Sequence, residues 1–281
     1  MKKILLIGKD GQIGWELQRT LDSLGTVHAC GHRDFDLAGP DAMRAFVRTL
    51  RPSLIVNASG FTAVDKAEVD RELAMQINAV APGILAEEAK HIGAFFVHYS
   101  TDYVFDGKAK TPYKEKDPTL PLNFYGKTKL AGEEAVQAMG GRYLILRTSW
   151  VYGLRGKNFL NTMLQLARAG QEIKVVGDQF GSPTWSRLIA EATALILAQN
   201  KDHIGIYNLS AAGETSWYGF AEAIFEIMKS VQPKSLVSIP SSQYPSKVVR
   251  PPYSVLNNDK VEKDFGIALS DWKAALRLCL E

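Results

Sequence analysis

The stretch Lys3-Ile-Leu-Leu-Ile-Gly8-Lys-Asp-Gly11-Gln-Ile-Gly14 decides the fold. An aliphatic run enters a glycine-rich turn, and the turn enters an amphipathic pattern, which is the order of strand, tight turn and helix. The spacing is G-x-x-G-x-x-G rather than the G-x-G-x-x-G dehydrogenase fingerprint. The physical logic is shared. Glycines permit a tight turn and close approach of the backbone to a ligand, while the first amides and the dipole of the helix attract a pyrophosphate. A glycine-rich turn without a ligand is the plainer reading of such a motif taken alone; its place between an apolar strand and an amphipathic helix favours the nucleotide.

Working outward, the first half alternates β-branched or aliphatic runs with helical patterns, the mark of β-α-β units feeding a parallel sheet. Strands are expected at Ile4–Ile7, Val27–Cys30, Leu54–Asn57, Phe95–Tyr99 and Tyr143–Arg147, and helices at Gly14–Leu24, Pro40–Leu50, Glu72–Ile92 and Tyr125–Met139. The expected fold class is therefore α/β, a Rossmann-type doubly wound parallel sheet, with ligands at the carboxyl ends of the strands. Residues 1–150 form the NAD(P)-binding unit. Residues 151–281 form a smaller C-terminal α/β lobe for the substrate, with some segments returning to the first sheet. There the expected strands are Ile173–Val176, Ile206–Leu209 and Leu236–Ile239, and the helices Phe159–Ala169, Arg187–Ala198 and Trp217–Val231. Pro240–Pro252 reads as an irregular loop closing over a ligand.

A chain of 281 residues with 46% hydrophobic and 22% charged residues is enzyme-sized and globular. A net charge of +3, carried by scattered basic residues, argues against a nucleic-acid partner. The apolar start ends at Gly8, short of a signal-peptide core, and no stretch could span a bilayer, so the expected location is the cytoplasm. Cys30 and Cys279 lie far apart without metal-ligand spacing and are expected to be free thiols.

The chemistry is expected in Tyr125-Gly-Lys-Thr-Lys129. Four positions apart on a helix, the two side chains face the same way. A free phenol titrates at roughly 10, and a nearby ammonium favours phenolate and lowers that value. Lys129 can also hold the nicotinamide ribose hydroxyls. Thr101, at the end of a strand, can donate to a carbonyl oxygen as hydride reaches carbon and Tyr125 supplies the proton. An incidental Tyr and Lys on a surface helix is the bland alternative.

The second strand ends in Gly31-His-Arg33-Asp, where an acid favours NAD and an arginine pairs with the extra phosphate of NADP. Arg33 favours NADPH and leaves NADH possible; a solvated surface arginine is the alternative. Asp36 and Leu37 are expected beside the adenine. Asn57, Ala58 and Ser59 are expected beside the nicotinamide ribose, although any strand-to-loop exit also uses small residues.

Four blocks resemble the dTDP-4-dehydrorhamnose reductase family of the extended short-chain dehydrogenase/reductase superfamily. They are Ser100-Thr-Asp-Tyr-Val-Phe-Asp-Gly107, Phe124-Tyr-Gly-Lys-Thr-Lys-Leu-Ala-Gly-Glu133, Arg147-Thr-Ser-Trp-Val-Tyr-Gly153 and Asp178-Gln-Phe-Gly-Ser-Pro-Thr184. Similarity extends over nearly the whole chain. The resemblance implies reduction of the 4-keto group of dTDP-4-dehydro-L-rhamnose with NADPH or NADH, the last step of dTDP-L-rhamnose synthesis. It places Thr101, Tyr125 and Lys129 in the catalytic trio, and Gly8, Asp10, Gly11, Gln12, Ile13 and Gly14 on the pyrophosphate. Thr62, Val64, Asp102 and Trp150 fall in the sugar pocket, with Trp150 as ordinary core the competing reading. The guanidinium fork of Arg250 suits the nucleotide diphosphate, and a simply exposed loop arginine is the plainer alternative. Some members bind magnesium through glutamates at a dimer contact; the position to inspect here is Arg187, so no metal is expected, and a homodimer stays open. A related nucleotide-sugar 4-ketoreductase is one alternative. The other is a non-catalytic regulatory subunit of the methionine adenosyltransferase type, against which the intact trio argues.

Overall fold

Ile4 and Leu6 of the first strand turn to one side of a sheet and Leu5 and Ile7 to the other, and all four are buried. A strand enclosed on both faces belongs inside a parallel sheet covered by helices. The computed structural model describes every residue except Met1, Phe35, Asn200, Asp202 and Lys247. Its first half runs β1 (Lys3–Ile7), α1 (Gln12–Thr20), β2 (Thr26–Cys30), α2 (Pro40–Leu50), β3 (Leu54–Asn57), α3 (Val64–Ala67), α4 (Arg71–Met75), α5 (Ala81–Ile92), β4 (Phe95–Thr101), α6 (Phe124–Met139) and β5 (Tyr143–Thr148). Next come β6 (Val151–Tyr152), α7 (Phe159–Arg168), β7 (Glu172–Val176), β8 (Phe180–Gly181), β9 (Thr184–Trp185) and α8 (Ser186–Ala198). The chain finishes with β10 (Gly205–Asn208), β11 (Thr215–Ser216), α9 (Trp217–Ile227), β12 (Ser235–Ile239), α10 (Asp259–Phe265) and α11 (Trp272–Leu280).

The main sheet has the order β2-β1-β3-β4-β5-β10, and every neighbouring pair is parallel. Alternation along the strands divides the core. Ile4, Leu6, Val56, Val97 and Leu144 pack with Leu17 of α1, Ile189 of α8 and Val261 of α10 on one face. Leu5, Ile55, Phe96 and Ile145 pack with Val47 of α2, Leu85 of α5 and Val136 of α6 on the other. Each such fully buried side chain contributes roughly 1.5–3 kcal/mol relative to exposure. The second lobe has its own core, in which Leu160, Ile173, Phe220, Ile224 and Leu276 meet beside the parallel pair β7 and β12.

The five strands expected in the first half are present, with β4 continuing to Thr101. The first helix begins at Gln12 and yields after Thr20 to a short 3-10 turn, Asp22–Leu24. The expected Glu72–Ile92 helix is interrupted by a π-helical turn over Gln76–Val80. Pro82 supplies a cause: lacking an N–H, it cannot donate to the preceding turn, and one wide turn accommodates it. Gly132 of α6 exploits the opening, since a Cβ there would lie 2.1 Å from the Asn78 carbonyl oxygen. The expected Ile206–Leu209 strand is β10, which leaves the second lobe to pair with β5. Helices α10 and α11 were not expected from the sequence. Both cysteines are free and buried.

Candidate active site

The cleft opens where the sheet ends. Gly8 follows β1 with φ of +92°, and a Cβ there would lie 2.7 Å from the Ser59 nitrogen, so strain and space both require glycine. Gly11 N donates to Gly8 O at 3.1 Å, closing the turn into α1. No side chain caps α1, so its first amides are left for an anion. Gly8, Asp10, Gly11, Gln12 and Ile13 line a cleft of about 750 Å³, together with Gly31, His32, Leu37, Ala58 and Ser59 from the ends of the next strands.

On the far wall stand Thr101 and Asp102 after β4 and Tyr125 and Lys129 on α6. Asn123 fixes where α6 starts, its side-chain oxygen accepting from Gly126 N at 2.9 Å. Lys129 Nζ donates to the Tyr99 carbonyl at 2.6 Å and lies 3.3 Å from His98 Nε2. Burial lowers Lys129 from 10.5 to about 8, with Glu133 opposing the shift. Tyr125 departs from the expectation that its neighbouring lysine would ease it toward phenolate. Burial pushes the phenol up to about 12; a hydrogen bond with Thr101 pulls the other way, and Asp102 adds to the rise. Desolvation of the phenolate outweighs any attraction to Lys129, and the tyrosine keeps its proton.

Thr101 is also oriented differently from expectation: its hydroxyl donates to Asp102 Oδ1 at 3.0 Å and accepts from Tyr103 N at 3.2 Å. Asp102 is 2% exposed and burial lifts it to about 6. Its Oδ2 has no hydrogen-bond partner among the described residues, nor do Ser100 Oγ and Thr148 Oγ1. All three residues border the cleft. Buried polar atoms left unpaired cost stability unless a ligand satisfies them, so this wall is built to receive polar groups.

Several expected site residues stand elsewhere. A Cβ on Gly14 would meet Gly8 O at 1.9 Å, so this glycine serves the packing of α1 against the turn rather than the cleft. Arg33 and Asp36 are outside the lining; Arg33 is exposed, and Asp36 Oδ1 accepts from Ala38 N at 2.8 Å within its own turn. Neighbouring Asp34 is ion-paired with Lys9. Asn57 is fully buried behind the cleft, bonded to His98 and Ser59. Arg250 borders an adjoining cavity of about 1100 Å³, where its guanidinium is 2.7 Å from both Asp65 Oδ2 and Ser246 Oγ. Asp65 thus already occupies the cation expected to meet a diphosphate.

Thr62, Val64 and Trp150 do line the cleft. Trp150 does so as half of a pair: its ring stacks on Trp217 with centroids 3.5 Å apart and planes 2° from parallel. Its φ of +45° is uncommon for a bulky residue. Gly181 leaves room beneath, because a Cβ there would lie 2.4 Å from Trp150 Cε2. Trp217 and Lys157 border both cavities. Sequence reasoning missed both. Trp217 opens α9 far along the chain, and Lys157 sits in a loop without a motif of its own chemistry. Among the described residues no cluster of three His, Cys, Asp or Glu could hold a metal.

A dinucleotide fits this arrangement: an uncapped helix start at the glycine turn, Gly31 and Leu37 after the second strand, and Lys129 lining the same cleft as the small residues after β3. Comparison with known proteins agrees. The family model described as RmlD substrate binding domain matches residues 1–281. A dTDP-4-dehydrorhamnose reductase of Burkholderia thailandensis is 46% identical, over 99% of this chain and 98% of that protein. The solved reductase of that name from Clostridium acetobutylicum superposes with a TM-score of 0.94 at 37% identity, covering 99% of this chain and 98% of the other. Another, from Bacillus anthracis and in complex with NADP, gives 0.93 at 30% identity with the same coverage, 99% and 98%. With a family model spanning its whole length and relatives of this identity over nearly all of it, the chain belongs to the RmlD substrate binding domain family, that of the dTDP-4-dehydrorhamnose reductases.

Proposed function

We propose that this protein reduces the 4-keto group of dTDP-4-dehydro-L-rhamnose to give dTDP-L-rhamnose, using NADPH and also able to use NADH. The observation that carries the reading is the grouping of Thr101, Asp102, Tyr125 and Lys129 on one wall of a cleft that shares Thr62, Val64, Lys157 and Trp217 with a second cavity. The residues from Gly8 to Ile13, with Lys129, would hold a nicotinamide dinucleotide along the first cavity, and the second would take the substrate's nucleotide. When bound there, the reduced cofactor would supply the hydride that the carbonyl carbon takes up. Tyr125, kept protonated by its burial, delivers the proton to the oxygen. Thr101 and Asp102 orient the sugar, and Trp150 and Trp217 give it an apolar wall. Lys157 forms no ion pair among the described residues and meets the diphosphate at the junction of the cavities. No helix among the described residues is long and apolar enough to cross a membrane; we place the enzyme in the cytoplasm.

The test is NADPH oxidation by purified protein given dTDP-4-dehydro-L-rhamnose, beside a UDP analogue and other 4-keto deoxysugars. Turnover specific to the dTDP sugar supports the reading. Faster turnover of another keto sugar shifts the assignment to a related 4-ketoreductase, and none with correctly folded protein overturns it.

A further inference from the structure

NADH and NADPH differ only by a phosphate on the 2′ oxygen of the adenosine ribose, so the charge that meets this ribose decides between them. In a doubly wound fold the ribose lies beside the end of the second strand, where an acid commonly accepts from its hydroxyls. Here β2 ends in Cys30, whose thiol burial keeps protonated. The acids that follow it are engaged elsewhere. Asp34 accepts from Gly31 N at 2.9 Å and is ion-paired with Lys9. Asp36 is outside the cleft lining and closes its own turn onto Ala38 N.

Among the described residues lining this end of the cleft, the one free carboxylate comes from the glycine turn. Asp10 is exposed there and makes no hydrogen bond or ion pair with the described residues. Gly31 shows how near it stands to the strand end: a Cβ on that buried glycine would lie 2.0 Å from Asp10 Oδ2. The carboxylate therefore covers the backbone just after β2, the place an acid on the strand would fill. The stem of Lys9 flanks the same glycine, its Cε 3.2 Å from that Cβ position, but its ammonium is committed to Asp34. Lys9 and Asp34 cancel, and the net charge at this end is that of Asp10.

We propose that Asp10 is the specificity-determining residue for the cofactor: its carboxylate accepts from the adenosine ribose hydroxyls of NADH and opposes the 2′-phosphate of NADPH. The proposal rests on the reading that this cavity holds a nicotinamide dinucleotide. A ribose diol donates to the carboxylate and gains a charge-assisted hydrogen bond. A 2′-phosphate brings like charge to the same spot, and NADPH binds there through the contacts common to both cofactors. Arg33 does not set the balance, because it is exposed outside the lining. His32 lines the cleft at this end but brings no carboxylate to a ribose.

Dissociation constants for NADH and NADPH, measured by fluorescence titration without any sugar nucleotide, read this balance directly. Asp10→Asn keeps the shape of the side chain and removes its charge. NADH should then bind roughly tenfold more weakly, while NADPH binds as tightly as to wild type or more tightly. Arg33→Gln should leave the ratio of the two constants unchanged. Equal weakening of both cofactors in Asp10→Asn means that Asp10 only supports the glycine turn, and the proposal fails. It fails also if the ratio follows Arg33 and ignores Asp10, or if wild-type protein binds neither dinucleotide. Wild-type protein with an Asp10-dependent ratio but no turnover of the dTDP sugar would remove the assigned function and leave the discrimination standing.

Discussion

Arg147 grips Glu133 through two parallel hydrogen bonds, Nε to Oε1 at 2.9 Å and Nη2 to Oε2 at 2.6 Å, with side chains only 2% and 0% exposed. The pair ties β5 to α6 one turn beyond Lys129. Removing one partner leaves the other charge buried alone. Glu133→Ala should therefore cost about 3–5 kcal/mol, measured by urea unfolding. Arg147→Lys should also destabilise, since an ammonium cannot reproduce the planar fork. Stability within error of wild type in both variants would count against the role given to the pair.

Tyr125→Phe removes the hydroxyl proposed as proton donor and keeps the ring that packs on Tyr103. Turnover should fall by roughly 10²–10⁴-fold, while NADPH affinity, followed by fluorescence titration, stays near wild type. A near-normal rate would mean that another group supplies the proton.

Asp102 makes stability depend on pH with a definite sign. Its carboxyl is raised from 3.8 to about 6 by burial, so between those values the folded protein binds more protons than the unfolded chain. Stability is then highest below the unfolded value and falls as pH rises toward 6, by up to about 3 kcal/mol. Asp102→Asn should flatten that decline in melting experiments run from acid to neutral pH. An unchanged slope would show that Asp102 does not cause it.

Gly181→Ala tests the support of the tryptophan pair. The added methyl would push directly into the Trp150 ring. A displaced pair should raise KM for the sugar nucleotide roughly tenfold, equivalent to about 1.4 kcal/mol, with cofactor affinity unchanged. Equal weakening of both ligands would indicate a general loss of folding instead.

The first half was readable because its signals are local. An apolar run such as Lys3–Ile7 followed by glycines has few folded solutions, and the same holds for Phe95–Thr101. What escaped sequence reading depends on distant segments meeting. Nothing near Tyr125 reveals that its pocket is dry enough to raise the phenol, and nothing near Arg250 announces Asp65. Trp217 and Trp150 meet only because β8 and β11 pair and bring the start of α9 to the end of β5. Gly14 misled for the opposite reason: the glycine spacing is local, yet one of its three glycines serves helix packing alone.

The return of β10 to the main sheet governs how the enzyme can move. The chain leaves the main sheet after β5, builds part of the second lobe, sends α8 back against α1 and β10 against β5, and then departs again. Repeated crossings leave no single hinge strand about which one lobe could swing as a free body. Closure over a sugar nucleotide must then be a small sliding adjustment at the cleft, and breakage of the backbone near residue 150 would not release two pieces each able to fold alone.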